Sequence, residues 1–435
     1  MNVTIYPSRF ILEKAFAGST ALTHRYLIAS WLMNEGILFE NVPENEDMDA
    51  LLNFFNAIGK DIIYTNSNSL YIKPSKRNDV HQLIINVKDS ITTLLLLLPV
   101  SLQMAKQVIF HCDENLFHYS LTIYEQLAKD CNLSIQKKDQ QIICSGSIHL
   151  DYYELEGNVS SLFIMGLIIN ALYQKKATTI KINSPFLYKD DVLTGILVFQ
   201  RFGFDITINE NTIYIHTNFI FQWDYLFIEA DYITAANYFA LACLNGSLLA
   251  YHFKEDSLQV NQKIIQYLKN MGGNIKFIKE DGQEKLYMAN NALLEKGIAK
   301  QLRGCDFDLC ECIDLFCILM VTASFANGIS RFFHLDYLCG KELERILKMV
   351  ELLKILHVEI KKDLTTITIK GKKDYFNKIQ LPFMDDVRIL MAISIFALLN
   401  KGEIRLTNVE NVMKMEPHFL DNLISGTKQN AIQID

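Results

Sequence analysis

The sequence predicts an α/β repeat protein built as two similar lobes with three repeats in each. Three observations predict it. One phrase recurs six times: a helix with apolar periodicity, a turn, a strand, a polar tip and a second strand. The turns that end those helices fall at Gly59, Cys131, Gly203, Gly272, His357 and Gly426, at intervals of roughly 70 to 85 residues. The 435 residues are 50% apolar and 21% charged, which suits a chain of two or three domains with a sizeable core.

The copies follow one another as "LLNFFNAIGKDIIYTNSNSLYIKP", "IYEQLAKDCNLSIQKKDQQIICSG" and "GILVFQRFGFDITINENTIYIHTN". They continue as "IIQYLKNMGGNIKFIKEDGQEKLYMA", "MVELLKILHVEIKKDLTTITIKGK" and a shortened "HFLDNLISGTKQNAIQID". Each has helical spacing followed by strand alternation. Glycine at the helix end fits a left-handed cap, and Cys131 and His357 depart from that rule. Three copies precede residue 230 or so and three follow it, so a ligand is expected in the cleft between lobes.

"FAGSTALTHRYLIAS", residues 16 to 30, reads as a tight turn running into a helix. Gly18 and Ser19 supply the turn and the N-cap, and Arg25 follows about two turns later. Free backbone N–H groups and the helix dipole make such a start an anion site. The net charge of −7 argues against a nucleic-acid surface, which needs a basic face. The apolar run "LLLLLPVSLQMA" is too short to span a bilayer and contains Pro99. Residues 1 to 18 lack the apolar core of a secretory signal. Nine irregularly spaced cysteines read as reduced thiols, so the expectation is a cytoplasmic protein with no membrane partner. Cys305, Cys310, Cys312 and Cys317 match no common zinc spacing, and the favoured reading is small apolar residues on a strand running into a helix.

The repeat, together with a set of motifs from "AGSTALTHR" to "KMEPHF", resembles the 3-phosphoshikimate 1-carboxyvinyltransferase (EPSP synthase) family nearly end to end. The resemblance implies a two-lobed inside-out α/β barrel of six βαβαββ repeats. One lobe would be residues 18–230, on the shikimate-phosphate side. The other would be 1–17 with 231–435, carrying the catalytic acids and the phosphoenolpyruvate side. It implies transfer of an enolpyruvyl group from phosphoenolpyruvate to the 5-hydroxyl of shikimate 3-phosphate, with no metal and no organic cofactor, and a monomer is expected. Both substrates are polyanions, so cations must hold their phosphates and carboxylates. A base must take the hydroxyl proton and an acid must protonate the methylene carbon.

Under that resemblance "CECIDLF" places the catalytic aspartate at Asp314, to hold the attacking hydroxyl and take its proton. "GKELERI" resembles K-E-[ST]-D-R, with Lys341 on the shikimate phosphate, Glu342 in proton transfer and Arg345 on phosphoenolpyruvate. The bland reading of the same residues is a solvated stripe of Lys341, Glu344, Arg345 and Lys348 opposite an apolar face. In "MDDVRILMA" Arg388 matches a phosphate-binding arginine, with Val387 in place of the histidine. In "KMEPHF" Lys414 matches a lysine, again on the phosphoenolpyruvate side. "EGNVSSLF" resembles the serine turn that binds shikimate phosphate through Ser160 and Ser161, otherwise an ordinary cap before an apolar helix. Arg25 matches the arginine that holds the shikimate carboxylate, and Asp231 in "EADYITAANYFA" marks the return between lobes.

Several positions depart from the family pattern. Thr20 stands where the family has a lysine, and Ala21 where it has a serine. In "DSITTLLLLL" Ile91 and Leu95 replace a glycine and an arginine, and Tyr119 and Ser120 replace an Arg-Pro pair. Three cations facing phosphoenolpyruvate are thus missing, each worth about 1.5–3 kcal/mol in a closed cleft. Two further readings follow: another reaction on a shikimate-type acid, or a non-catalytic relative. Lys14 and Lys60 are candidates to swing in for the missing lysine.

Overall fold

The structure, a computed structural model, describes residues 1–74, 80–128, 130–219, 223–280, 282–290, 301–338 and 340–434. Positions 129, 281 and 435, which fall inside three of the repeated phrases, lie outside the described residues. The described strands form six four-stranded sheets with one wiring scheme. Tyr152–Leu155 pairs in parallel with Thr178–Ile182, with Glu154 opposite Lys181. A parallel pair needs a crossover, and helix Ser161–Gln174 provides it. Thr178–Ile182 then pairs antiparallel with Thr212–Phe219, and Phe204–Asn209 closes the sheet.

The chain divides into two compact units, residues 1–17 with 229–435, and residues 18–228. In the discontinuous unit, strand Asn2–Ile5 lies between Ile404–Thr407 and Ile432–Ile434, and Phe10–Ala15 runs parallel to Gly246–Tyr251. In the continuous unit, Tyr225–Phe227 returns to pair with Ile37–Glu40.

In each unit three helices form the inner set, and the strands pack one face on helices. Three helices of the continuous unit, Thr20–Met33, Ile91–Ser101 and Ser161–Gln174, are apolar on nearly every side and buried along most of their length. Tyr232–Asn245, Phe316–Phe325 and Val387–Leu399 do the same in the other unit. A helix that is apolar all round belongs in a core. The run "LLLLLPVSLQMA" is therefore a core helix, with Pro99 accommodated near its end. Strands alternate, as in Gly246–Tyr251, with one face on the helices and the other outward. Helices outside the inner set are amphipathic: Gly340–Ile355 buries Ile346, Met349, Val350, Leu352 and Leu353 and exposes Lys341, Glu344, Lys348 and Glu351.

The helix-ending turns follow the glycine rule in part. Gly59, Gly203 and Gly272 are left-handed, with φ of 70°, 86° and 93°, and His357 takes the same region at 62°. Gly426 does not. It ends helix Phe419–Gly426, and a Cβ there would lie 2.4 Å from the Phe10 ring, so the glycine serves close approach, not backbone freedom. The four-cysteine stretch does run from strand Asp306–Asp308 into helix Phe316–Phe325, with Cys312 and Cys317 buried.

Candidate active site

The inner helices begin at the residues that the sequence singles out. In the discontinuous unit, Asp231 caps Tyr232–Asn245, accepting from the N–H groups of Ile233 and Thr234 at 2.8 and 2.9 Å. Asp314 lies in the turn just before Phe316–Phe325. Asp386 caps Val387–Leu399, accepting from the N–H groups of Arg388 and Ile389 at 3.0 and 3.2 Å. An aspartate before an apolar run is the expected helix start, since its carboxylate satisfies orphan donors and complements the dipole.

Asp314 and Asp386 collect arginines. Arg345 donates from Nε to the other Asp386 oxygen at 2.6 Å, and the two side chains are only 11% and 13% exposed. Arg388 donates from Nη1 to Asp314. Burial pushes the Asp386 carboxyl up, but the Arg345 guanidinium and the hydrogen bonds outweigh it and hold the group below its ordinary range. Burial likewise pulls Arg388 down, and the charges of Asp314 and Asp386 more than reverse that. Arg345 is thus no part of a solvated stripe, while Glu344 and Lys348 on the same helix are exposed.

A small cavity of ≈ 10 Å³, about the room of one water, opens beside this pair. Asp314, Arg388, Asn237, Cys317, Met391 and Met415 are among its lining residues. Asn237 is 7% exposed, and its Oδ1 has no hydrogen-bond partner among the described residues. Lys414 ends the 3-10 turn Val409–Lys414, directly before Met415, and is exposed. Lys341 and Glu342 lie in the first turn of Gly340–Ile355, without an ion-pair partner among the described residues. The unit therefore joins Asp314, Arg388 and Arg345 in one network and leaves Lys341, Glu342 and Lys414 outside it.

The continuous unit starts its inner helices differently. Ser19, Ser90 and Ser160 are the caps, accepting from the N–H groups of Leu22, Thr93 and Leu162 at 3.4, 3.0 and 3.3 Å. Ser161 is the first residue of its helix and is half-buried. Thr20 accepts from Asn45 Nδ2 at 2.7 Å, and Ser90 donates to Asp47. His24 is buried, and burial lowers its pKa against the pull of Asp47. Arg25 donates to the Ala21 carbonyl at 2.8 Å, while its buried Nε has no hydrogen-bond partner among the described residues. Burial pulls its guanidinium down and Asp191 holds it up.

Of the two candidate lysines, Lys60 does not replace the one missing at Thr20. Lys60 bonds Asn34 at 3.2 Å, at the far end of a 14-residue helix, roughly 20 Å from Thr20 along its axis. Lys14 belongs to the other unit, where it bonds Asn422. Sequence reading assigned no role to Asp386 or Asn237. The Asp386 signal was available as a cap two residues before Arg388. Asn237 gave only a weak one, a lone amide in the apolar stretch "YITAANYFALA".

Fold and site together define a two-unit α/β repeat protein whose inner helix termini carry charged and hydroxyl groups suited to anionic ligands. A family model described as EPSP synthase (3-phosphoshikimate 1-carboxyvinyltransferase) matches residues 13–423, and the chain belongs to that family. The chain is 26% identical to the 3-phosphoshikimate 1-carboxyvinyltransferase of Clostridioides difficile strain 630, over 96% of this chain and 95% of the relative. It is 25% identical to the same enzyme of Saccharolobus solfataricus, over 100% of both. The solved structure of EPSP synthase from Acinetobacter baumannii superposes with a TM-score of 0.79 at 18% identity, covering 100% of this chain and 99% of that one. The enolpyruvyl transferase NikO from Streptomyces tendae gives 0.70 at 15% identity, over 99% and 98%. At such identities the structural likeness speaks for the fold. Among the described residues no helix is long and apolar enough to cross a membrane.

Proposed function

We propose that the chain transfers the enolpyruvyl group of phosphoenolpyruvate to the 5-hydroxyl of shikimate 3-phosphate and expels phosphate. The observation that carries this reading is the Asp314–Arg388 pair, set on a helix terminus that Asp386 caps and Arg345 braces. It supplies a carboxylate base beside two cations in a half-buried setting, the combination the reaction needs. Asp314 takes the hydroxyl proton. Arg345, Arg388 and Lys414 hold phosphoenolpyruvate, and Glu342 serves in proton transfer to its methylene carbon. Lys341, Ser160, Ser161 and Arg25 hold shikimate 3-phosphate. With Arg388 bonded to Asp314, the base is masked; a phosphate that draws Arg388 away unmasks it.

Supplying both substrates and following phosphate release tests this. Turnover that requires both, with weak saturation by phosphoenolpyruvate, is expected. No release at millimolar substrate would overturn the assignment. Calorimetry with shikimate 3-phosphate alone and then with phosphoenolpyruvate separates a half-emptied site from a complete one.

A further inference from the structure

We propose that Asp308, Cys310 and His334 form a binding site for a thiophilic divalent cation, Zn²⁺ in the first instance. Their ligand atoms all lie within 4.8 Å of one another, and His334 Nδ1 is 2.9 Å from Asp308 Oδ1. Zinc bonds of about 2.0–2.3 Å in a tetrahedron set ligand atoms roughly 3.3–3.8 Å apart, so rotation of these side chains suffices to admit an ion.

The backbone places the three groups. Asp308 ends strand Asp306–Asp308 and is paired in register with Phe333, the residue before His334. The parallel ladder therefore sets Asp308 and His334 side by side at the strand ends. The Cys310 N–H donates to Asp308 Oδ1 at 2.9 Å, which folds the turn back over the same carboxylate. The His334 ring stacks on Tyr337 at 5.0 Å and 3°, fixing the imidazole plane. Asp308 and Cys310 are half-buried and His334 is exposed, so an ion can enter and a water can complete the coordination. A thiol with an imidazole and a carboxylate suits zinc or cobalt and is a poor set for magnesium or calcium. Cys310 matches no zinc spacing in the sequence because the three ligands come from two segments and are of three residue types.

The site has a structural consequence. One of its segments leads, six residues on, to Asp314; the other leads, seven residues on, to Lys341. A bound ion would clamp the two. The site itself does not depend on the enolpyruvyl-transfer reading, and a binding assay without substrates tests it separately.

The test uses the full chain without a histidine tag, stripped of metal and titrated with ZnCl2 and then CoCl2. One Zn²⁺ per chain is expected, with affinity falling at least about 10-fold in both Cys310→Ser and His334→Ala. The Co²⁺ form should show a thiolate charge-transfer band in the near ultraviolet that Cys310→Ser abolishes. A raised melting temperature with Zn²⁺ in the parent alone would support the clamp. Asp308→Asn, which keeps the side chain's shape, guards against a misfolded variant. Absence of the cobalt band in the parent, or equal zinc affinity in parent and variants, would overturn the proposal.

Discussion

The two units share one wiring scheme but begin their inner helices with different chemistry. One uses Ser19, Ser90 and Ser160; the other uses Asp231 and Asp386, with Asp314 just ahead of its third helix. The difference decides what each terminus can do. A serine cap satisfies one orphan N–H and leaves the positive end of the dipole open to an external anion. An aspartate cap brings its own charge, and at Asp386 arginines join it, so that terminus becomes a mixed network able to hold a base beside a cation. On the proposed reading the continuous unit receives an anion and the discontinuous one does the acid–base work. At Ser90 the first arrangement has gone a step further, with Asp47 accepting the hydroxyl proton that a phosphate would otherwise take.

The strongest way to break this comparison is Asp314→Asn. Phosphate release should fall by about 10²–10⁴-fold with the thermal midpoint nearly unchanged, because the amide still accepts from Arg388. Unchanged turnover would remove the acid–base role from this unit. Next is Asp386→Ala, which strands a buried Arg345 and uncaps a helix. A loss of about 3–5 kcal/mol in urea unfolding is expected. Restoring a charge to the other unit with Thr20→Lys should improve kcat/KM for phosphoenolpyruvate by about 10- to 100-fold, as one charge-assisted bond is worth about 1.5–3 kcal/mol. An unchanged KM would mean that the first turn no longer meets this substrate. The neutral cap gives a smaller effect: Ser90→Ala should cost about 1 kcal/mol, well short of Asp386→Ala.

The gentlest effect is a pair of opposite pH slopes, each at most about 1.4 kcal/mol per pH unit. Buried His24 has a lowered pKa, so below its ordinary 6.5 the unfolded chain binds the extra proton and the continuous unit loses stability as pH falls. Glu416 in the other unit is pushed up to about 7 by burial, against the charge of Lys14. Between its ordinary 4.5 and 7 the folded state binds the extra proton, so its contribution falls as pH rises. Both tryptophans, Trp31 and Trp223, lie in the continuous unit, so their fluorescence follows that unit, and hydrogen exchange follows the other. His24→Gln should flatten the first slope and Glu416→Gln the second.

Much of this was legible in the sequence. The six helix–turn–strand phrases mark the repeats and carry the helices outside the inner set, while the all-apolar segments name the inner helices, because a helix without a polar face has only the core to go to. The caps at Ser19 and Ser160 were legible too, since capping is local. What could not be read was partnership. "GKELERI" fits an exposed amphipathic helix as well as a site, and only the contact of Arg345 with Asp386, 41 positions away, separates the two. The left-handed turn at His357 and the close approach of Gly426 to Phe10 were hidden for the same reason.

The sequence by itself determined the repeat, the helices that must be buried and the residues that can start them. These follow from short-range periodicity and from the cost of leaving helix-terminal N–H groups unpaired. Tertiary structure alone decided which charges meet. It paired Asp314 with Arg388 and Arg345 with Asp386, set Lys60 at the far end of the helix that Thr20 begins, and brought Asp308, Cys310 and His334 together from two strand ends. Electrostatic partnership depends on separations of a few ångströms between segments far apart in the chain, and no local pattern encodes them.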